Sequence, residues 1–267
     1  MRRWRPSPFL LLSAACHVAV VVLLVVAWRW WPVLLVVLVA NHLAIMASGL
    51  WPRSTLLGPN VLQLPPAASA RREVAITIDD GPDPAVTPQV LEILARHGAK
   101  ATFFCIGERA ALHPDLCRAI AAAGHDIGNH GQRHPHTASF MGMRGWHAEI
   151  DGAQRTLTSI TGRRPQFYRA VAGLRNPFLD PVLHRLGLRL ATWSARGFDT
   201  RCRDPHTVLA RLLPHTRPGA ILLLHDGHAA RTPDGVPVIV GTLPHLLREM
   251  RERGLNPVTL SQAFAAP

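Results

Sequence analysis

Two long apolar runs open the chain, and short apolar stretches alternating with amphipathic ones follow. The first run, Phe9 to Ala27, has Ser13 and His17 as its polar members. It is of the length needed to cross hydrocarbon. Trp28, Arg29, Trp30, Trp31 and Pro32 interrupt the pattern, and a second run extends from Val33 to about Leu50, closed by Trp51, Pro52 and Arg53. The tryptophans fall where an aromatic belt sits at a membrane surface. The pattern predicts two transmembrane helices, about 9–28 and 32–50, joined by a tight turn, so residues 1–51 form a membrane anchor.

The basic start (Arg2, Arg3, Arg5) also suits a secretory signal, but no small-residue cleavage site follows the first run, and Ala68-Ser69-Ala70 comes far too late. Two spans return the chain to its starting side. Arg2, Arg3, Arg5, Arg53, Arg71 and Arg72 flank that side, and Arg29 stands alone on the other. The positive-inside rule then places a multi-pass protein in a bacterial-type inner (cytoplasmic) membrane, with its large domain in the cytoplasm. A re-entrant second run would turn that domain outward, to the periplasm. His17 and His42 lie at nearly the same level of the hairpin. One expectation is an inter-helix hydrogen bond between them, of about 1 kcal/mol; the plainer one is two histidines near the headgroups.

Residues 52–72, rich in Pro, Ala and Arg, carry no apolar period and read as a linker. From Glu73 the pattern alternates. Strands are expected at Val74–Ile78, Ala101–Ile106, His125–Gly128, Gln166–Arg169, Leu188–Trp193, Ala220–Leu224 and Val258–Leu260. Between them run helices, one starting at Thr87-Pro88 with Thr87 as N-cap, others at about Arg144–Thr161 and Leu243–Arg253. Repeated β–α units make an α/β fold with a parallel sheet. About seven units suggest an incomplete barrel over residues 73–267, with active groups at the C-terminal ends of its strands.

Composition changes this picture little. The net charge of +12 comes from 29 basic and 17 acidic residues, and Lys100 is the one lysine. Such a balance suits anionic neighbours such as lipid phosphates, although an arginine-rich coding bias gives it too. No basic run interleaved with aromatics points to nucleic acid. Cys16, Cys105, Cys117 and Cys202 show no paired spacing and read as free thiols, as in a reducing compartment.

Five polar signals stand at expected strand ends. In Thr77-Ile78-Asp79-Asp80-Gly81-Pro82, two adjacent carboxylates meet a Gly-Pro turn. Alone this is as often a plain turn. His130-Gly131-Gln132-Arg133-His134 spaces two histidines four apart, which on a helical turn would give a metal-ligand pair. A carboxylate such as Asp80 would complete a two-His, one-carboxylate set. Gly131 stands where H-E-x-x-H has its glutamate, so a base must come from elsewhere, and Asp79 is available. Phe167-Tyr168-Arg169-Ala170-Val171-Ala172-Gly173 brings an arginine to a small-residue loop, where it can hold a carboxylate ionised. Trp193 precedes Gly197-Phe198-Asp199, and Leu222-Leu223-Leu224-His225-Asp226 sends a histidine out of a buried strand, a good general acid.

TIDDGP, HGQRH, FYRAVAG, WSARGFD and LLLHD, in this order, resemble the NodB-type polysaccharide deacetylases, carbohydrate esterase family 4, over about residues 73–262. The resemblance implies a distorted (β/α)7-8 barrel of the NodB deacetylase type and hydrolysis of an N-acyl, usually N-acetyl, amide on a saccharide. It implies a divalent metal, zinc above all, on Asp80, His130 and His134. Asp79 would be the general base and His225 the acid toward the leaving amine. Arg169 would orient Asp79, and Asp199 would hold His225. A backbone N–H near Ala172 would receive the oxyanion, and Trp193 and Leu223 would line the acyl pocket.

Two departures bear on substrate. The family's Ser or Thr after the first metal histidine is Gly131, which removes a side-chain hydrogen bond in that loop. The family's R-P-P-Y-G is Arg-Ala-Val-Ala-Gly, which removes an aromatic wall of the sugar groove. With the anchor and the basic balance, a lipid-linked or phosphorylated saccharide is expected rather than a long polymer, with membrane lipids as the other partner. An outward-facing cell-wall deacetylase has the same chemistry. A silent glycan-binding protein is the reading from another class, but every catalytic position is filled.

Overall fold

A computed structural model of the chain describes residues 3–265. Its centre is a parallel sheet of β1 (Glu73–Asp79), β2 (Thr102–Cys105), β3 (Asp126–Asn129), β4 (Phe167–Tyr168), β5 (Arg189–Leu190), β6 (Ala195–Arg196), β7 (Ile221–His225) and β8 (Asn256–Val258). The order is β5-β4-β3-β2-β1-β7-β6, with β8 also pairing β1. Strands β1 and β7 are buried along their whole length, as expected for apolar runs covered on both faces.

Strands β5 and β6 do not pair among the described residues, so the barrel stays open as a half-barrel. Residues 52–72 run across part of this opening. Val61 bridges Ala191, donating to Leu190 O at 2.8 Å and accepting from Thr192 N at 3.0 Å; Leu64 N donates to Gly219 O at 2.9 Å. Leu57, Leu64 and Ala68 are buried there. Backbone pairing, which hydropathy period does not report, is what seats a segment that reads as a linker.

The two opening helices are α1 (Pro8–Val26) and α2 (Trp31–Leu50), both long and apolar enough to cross a membrane by length and composition. The remaining helices are α3 (Pro66–Ala70), α4 (Thr87–Arg96), α5 (Gly107–Leu112), α6 (Pro114–Ala122), α7 (Met143–Thr161), α8 (Leu179–Leu186), α9 (Pro205–Leu212), α10 (Val238–Glu252) and α11 (Leu260–Phe264). Val90 and Leu94 of α4, Ile120 of α6 and Leu243, Leu246 and Met250 of α10 bury the face of the sheet carried by Ile76, Ile78, Leu222 and Leu224. A second cluster packs Trp146 and Ile150 of α7 and Leu179 and Leu183 of α8 around Tyr168.

Helix α1 is capped by Ser7, whose hydroxyl accepts from Leu10 N at 3.2 Å. The bond between α1 and α2 is not the expected histidine pair. Asn41 Nδ2 donates to Ser13 Oγ at 2.8 Å, whereas the rings of His17 and His42 meet edge to face, 5.1 Å apart. Each ring spends its Nδ1 on the carbonyl four residues back, Ser13 O at 2.7 Å and Leu38 O at 2.8 Å. A local acceptor within easy reach defeats a distant one.

The hairpin is fixed to the sheet domain at its open end. Arg175 N donates to Gly49 O at 3.1 Å, and a Cβ on Gly49 would collide with the Arg175 carbonyl. The buried Arg175 guanidinium donates to Ser54 O and reaches Gly58 O. Trp4 Nε1 donates to Asp180 Oδ2 at 2.7 Å, at the start of α8.

Candidate active site

The parallel register brings the five polar signals to one rim. Asp79 is the partner of His225 across β1–β7, and Asn129, next to His130, is the partner of Cys105 on one side and Tyr168, next to Arg169, on the other. Asp80 follows β1 in the left-handed region (φ 74°), ahead of a cis Gly81-Pro82 peptide. That conformation is uncommon outside glycine and is tolerated best by Asn and Asp. Its surroundings over-determine it. Arg109 Nη1 donates to Asp80 O at 2.9 Å, and the buried Asp226 accepts from Thr87 Oγ1 and Gly227 N beside Gly81. Thr87 therefore braces this turn with its hydroxyl instead of capping α4, whose preceding residue is Val86.

Asp80 Oδ1 lies 3.2 Å from His130 Nε2 and 3.2 Å from His134 Nε2. The two histidines are not on a helical turn. They stand in a loop after β3, with His134 at φ 58°. Two features close that loop. Asn129 Oδ1 accepts from Gly131 N at 2.8 Å, and Glu149 Oε1, from α7, accepts from His134 N at 2.9 Å and from Arg133 N. Gly131 has φ 84°, and a Cβ there would lie 2.8 Å from Glu149 Oε1. Glycine thus permits the close carboxylate that organises the loop.

The donor set fits a divalent cation. One ligand atom from each of Asp80, His130 and His134 falls within 4.8 Å of the others. His130 Nδ1 donates to Arg169 O at 2.8 Å, which leaves Nε2 toward Asp80 and is the usual outer contact of a metal-ligating imidazole. Burial opposes ionisation of Asp80, yet contacts with His130, His134 and His228 hold its carboxyl well below the usual range. Burial lowers the His134 imidazole, keeping it in the neutral form that a ligand needs.

Behind this trio stand two charged pairs. Arg169, fully buried, donates from Nη1 to Asp79 Oδ1 and to Thr77 Oγ1, each at 2.7 Å, and from Nε and Nη2 to Ala191 O and Thr192 O. Its guanidinium lies 4.1 Å from the centre of the Phe104 ring. Asp199, also fully buried, accepts from His225 Nδ1 at 2.9 Å and from His225 N at 2.7 Å. Burial opposes the charge on His225, but Asp199, with Asp79 and Asp80 beyond it, pushes its pKa up to about 9.

A cavity of about 390 Å³ opens over these groups, lined by Asp79, Asp80, His130, His134, His225, Ala172, Trp193 and Leu223. Ala172 sits at φ 52° in the turn Val171–Gly173. All ten residues picked out in the sequence therefore converge, eight on the cavity and two directly behind it.

A polysaccharide deacetylase family profile matches residues 67–191. The chain is 39% identical over 155 residues to a chitooligosaccharide deacetylase of Azorhizobium caulinodans, covering 58% of this chain and 73% of that protein. It belongs to the polysaccharide deacetylase family. It is also 30% identical over 191 residues to a peptidoglycan-N-acetylglucosamine deacetylase of Bacillus cereus, covering 71% of this chain and 86% of that one. A solved peptidoglycan N-acetylglucosamine deacetylase superposes with a TM-score of 0.69 at 28% identity, covering 77% of this chain and 92% of its own. The chain is thus a deacetylase-type hydrolase built on the half-barrel of carbohydrate esterase family 4.

Several residues of this deacetylase site escape sequence reasoning. His228 Nδ1 lies 3.2 Å from Asp80 Oδ2, and its Nε2 accepts from Arg109 Nη2 at 2.8 Å, so Nδ1 carries the proton. Its place three residues after His225 was an available signal. Glu149 offered none, since it lies mid-helix, far along the chain from the loop it closes. Arg196, Phe198 and Arg201 line the same cavity from the segment after Trp193.

Proposed function

We propose that this chain removes the acetyl group from an N-acetylglucosamine unit of a saccharide held at a membrane surface, with a divalent metal, zinc by its donor set, on Asp80, His130 and His134. The observation that carries this reading is the pairing of two oppositely suited groups on one cavity. Asp79 is an acceptor held in place by Arg169, and His225 is kept as a protonated donor by Asp199. The bound metal supplies Lewis acidity toward the amide carbonyl and its attacking water.

The chain's own residues do the rest. Asp79 takes the proton of the attacking water, and Arg169 holds its carboxylate in place. The backbone at Ala172 faces the same cavity and is the candidate donor to the developing oxyanion. The His225 imidazolium gives its Nε2 proton to the departing sugar amine, and Asp199, accepting from Nδ1–H, orients the ring and stabilises its charged form. Trp193 and Leu223 bound the space for the acyl methyl. The sugar and acyl group follow from what the relatives in Azorhizobium caulinodans and Bacillus cereus act on.

The membrane part of the reading rests on α1 and α2. Leu11, Leu12, Val18, Val21, Val25, Val26, Val36 and Leu43 are exposed on them, a surface that suits lipid. Residues 1–51 are the anchor and residues 73–267 the deacetylase domain, and the arginine distribution favours a cytoplasmic domain. The test is release of acetate by the full chain in detergent or nanodiscs, from chitooligosaccharide and from a lipid-linked N-acetylglucosamine. Absence of acetate from both, with zinc present, would overturn the reading. A reporter fused after Arg72 that is active in the periplasm would overturn the cytoplasmic side.

A further inference from the structure

Next to the catalytic cavity lies a second depression, of about 500 Å³. The two share Trp193, Arg196 and Phe198 as a common wall. The second depression is also lined by Arg53, Arg211 and His215, and no carboxylate lines it. Three arginines around one hollow, without a counter-charge, form a field that favours an anion.

The shared wall is built for such a ligand. The Arg196 guanidinium carbon lies over both the Trp193 and Phe198 rings, 5.3 and 4.5 Å from their centres, which holds the cation at this wall. Its Nε is buried without a hydrogen-bond partner. Asp199, the carboxylate that acts most strongly on Arg196, spends both oxygens on His225. A buried Nε–H with no partner is costly unless something outside the chain completes it, and the half-buried guanidinium that carries it is open to the hollow. Across the Phe198 ring, 5.8 Å from its centre, lies Arg211, oriented by its bond to Gly197 O.

The position of the hollow indicates which anion. Arg53 comes three residues after the end of α2, so the depression lies where the hairpin meets the domain. Pro52 packs there against Gly173 of the catalytic loop. The arginine hollow, through Arg53, and the catalytic loop, through the Pro52–Gly173 contact, both adjoin the exit of α2. A sugar in the cavity whose anomeric carbon carries a phosphate ester to a lipid would place that phosphate among the arginines.

We propose that Arg196, Arg211 and Arg53 form a phosphate subsite, and that the substrate is a phosphate-linked lipid carrying an N-acetylated sugar. This rests on the deacetylase and membrane readings above. Binding tests it separately from turnover. The full chain bearing Asp79→Asn, in phosphatidylcholine nanodiscs, is titrated with dodecyl phospho-N-acetylglucosamine and with the phosphate-free dodecyl glycoside. The phosphate probe should bind about tenfold or more tightly, the scale of one charge-assisted hydrogen bond. Arg211→Gln and Arg53→Gln should each shrink that preference toward unity while binding of the glycoside stays the same. Arg53 and Arg211 are exposed, so their variants do not threaten the fold. Equal affinity for the two probes, a preference retained in both variants, or no binding of either probe would overturn the subsite. So would loss of the preference when phosphatidylglycerol is added, since the hollow would then take bulk headgroups. Failure of the parent chain to release acetate, with the preference intact, would count against the deacetylase reading alone.

Discussion

Arg169 donates to Asp79 at 2.7 Å from a guanidinium with no exposed surface, and its remaining donors go to Thr77, Ala191 and Thr192. It joins the base to three strand ends at once. Asp79→Asn keeps the packing and removes the charge that accepts a proton. Turnover should fall by about 10²–10⁴, with metal content by elemental analysis unchanged. Arg169→Met should instead cost about 3–5 kcal/mol in denaturant unfolding, because Asp79 is left buried and unpaired. Wild-type turnover in Asp79→Asn would remove it as the base.

The metal assignment separates from the base in the same way. His134→Ala deletes one of three converging ligand atoms, so the purified chain should lose its bound metal. Glu149→Gln leaves all three ligands in place but weakens the acceptor of the His134 and Arg133 amides. Metal affinity should drop by about 10–100-fold, the usual scale for an outer contact, measured by competition with a chelator. Full occupancy in His134→Ala would overturn the ligand set.

His225 sets the alkaline limit. A general acid must be protonated, and its pKa of about 9 keeps it so through neutral pH. Activity should decline as pH rises through that value. Asp199→Asn removes the largest influence that raises this pKa, so the alkaline limb of kcat should move down toward the ordinary histidine range, near 6.5. An unmoved limb would mean that His225 is not the group that titrates.

How much of this was legible depended on how local the cause was. The strand ends and their chemistry stood in short runs such as Asp79-Asp80 and His225-Asp226, and parallel register did the assembly. The two histidines were found by spacing, but a helical turn is the wrong reason. Gly131 and the Glu149 carboxylate make a loop serve equally well, and that contact joins residues far apart in sequence. Strand β6 is two residues long and has no period to read. It carries Arg196, and so the arginine hollow was invisible as well. In the hairpin, hydropathy located both helices, while the choice of Asn41–Ser13 over His17–His42 turned on which acceptor each side chain met first.

The loop that departs most from the family pattern is the one that touches the exit of α2. Gly173 has φ 73°, and a Cβ there would lie 2.5 Å from Pro52 Cβ and 2.9 Å from Trp193 Cη2. The loop behind Arg169 is thus wedged between the exit of α2 and the wall of the acyl pocket, where a bulkier loop would not fit. Gly173→Ala pays a left-handed backbone cost of about 1–2 kcal/mol and must push Pro52 or Trp193 aside. If Trp193 yields, the acyl pocket changes shape and kcat/KM should drop about tenfold or more, with the unfolding midpoint only modestly lowered. Pro52→Gly in the same chain frees the other side and should restore part of the activity. Gly173→Ala with wild-type kinetics, or a double variant no better than the single, would show that the exit of α2 and the cavity wall at Trp193 are not coupled through this residue.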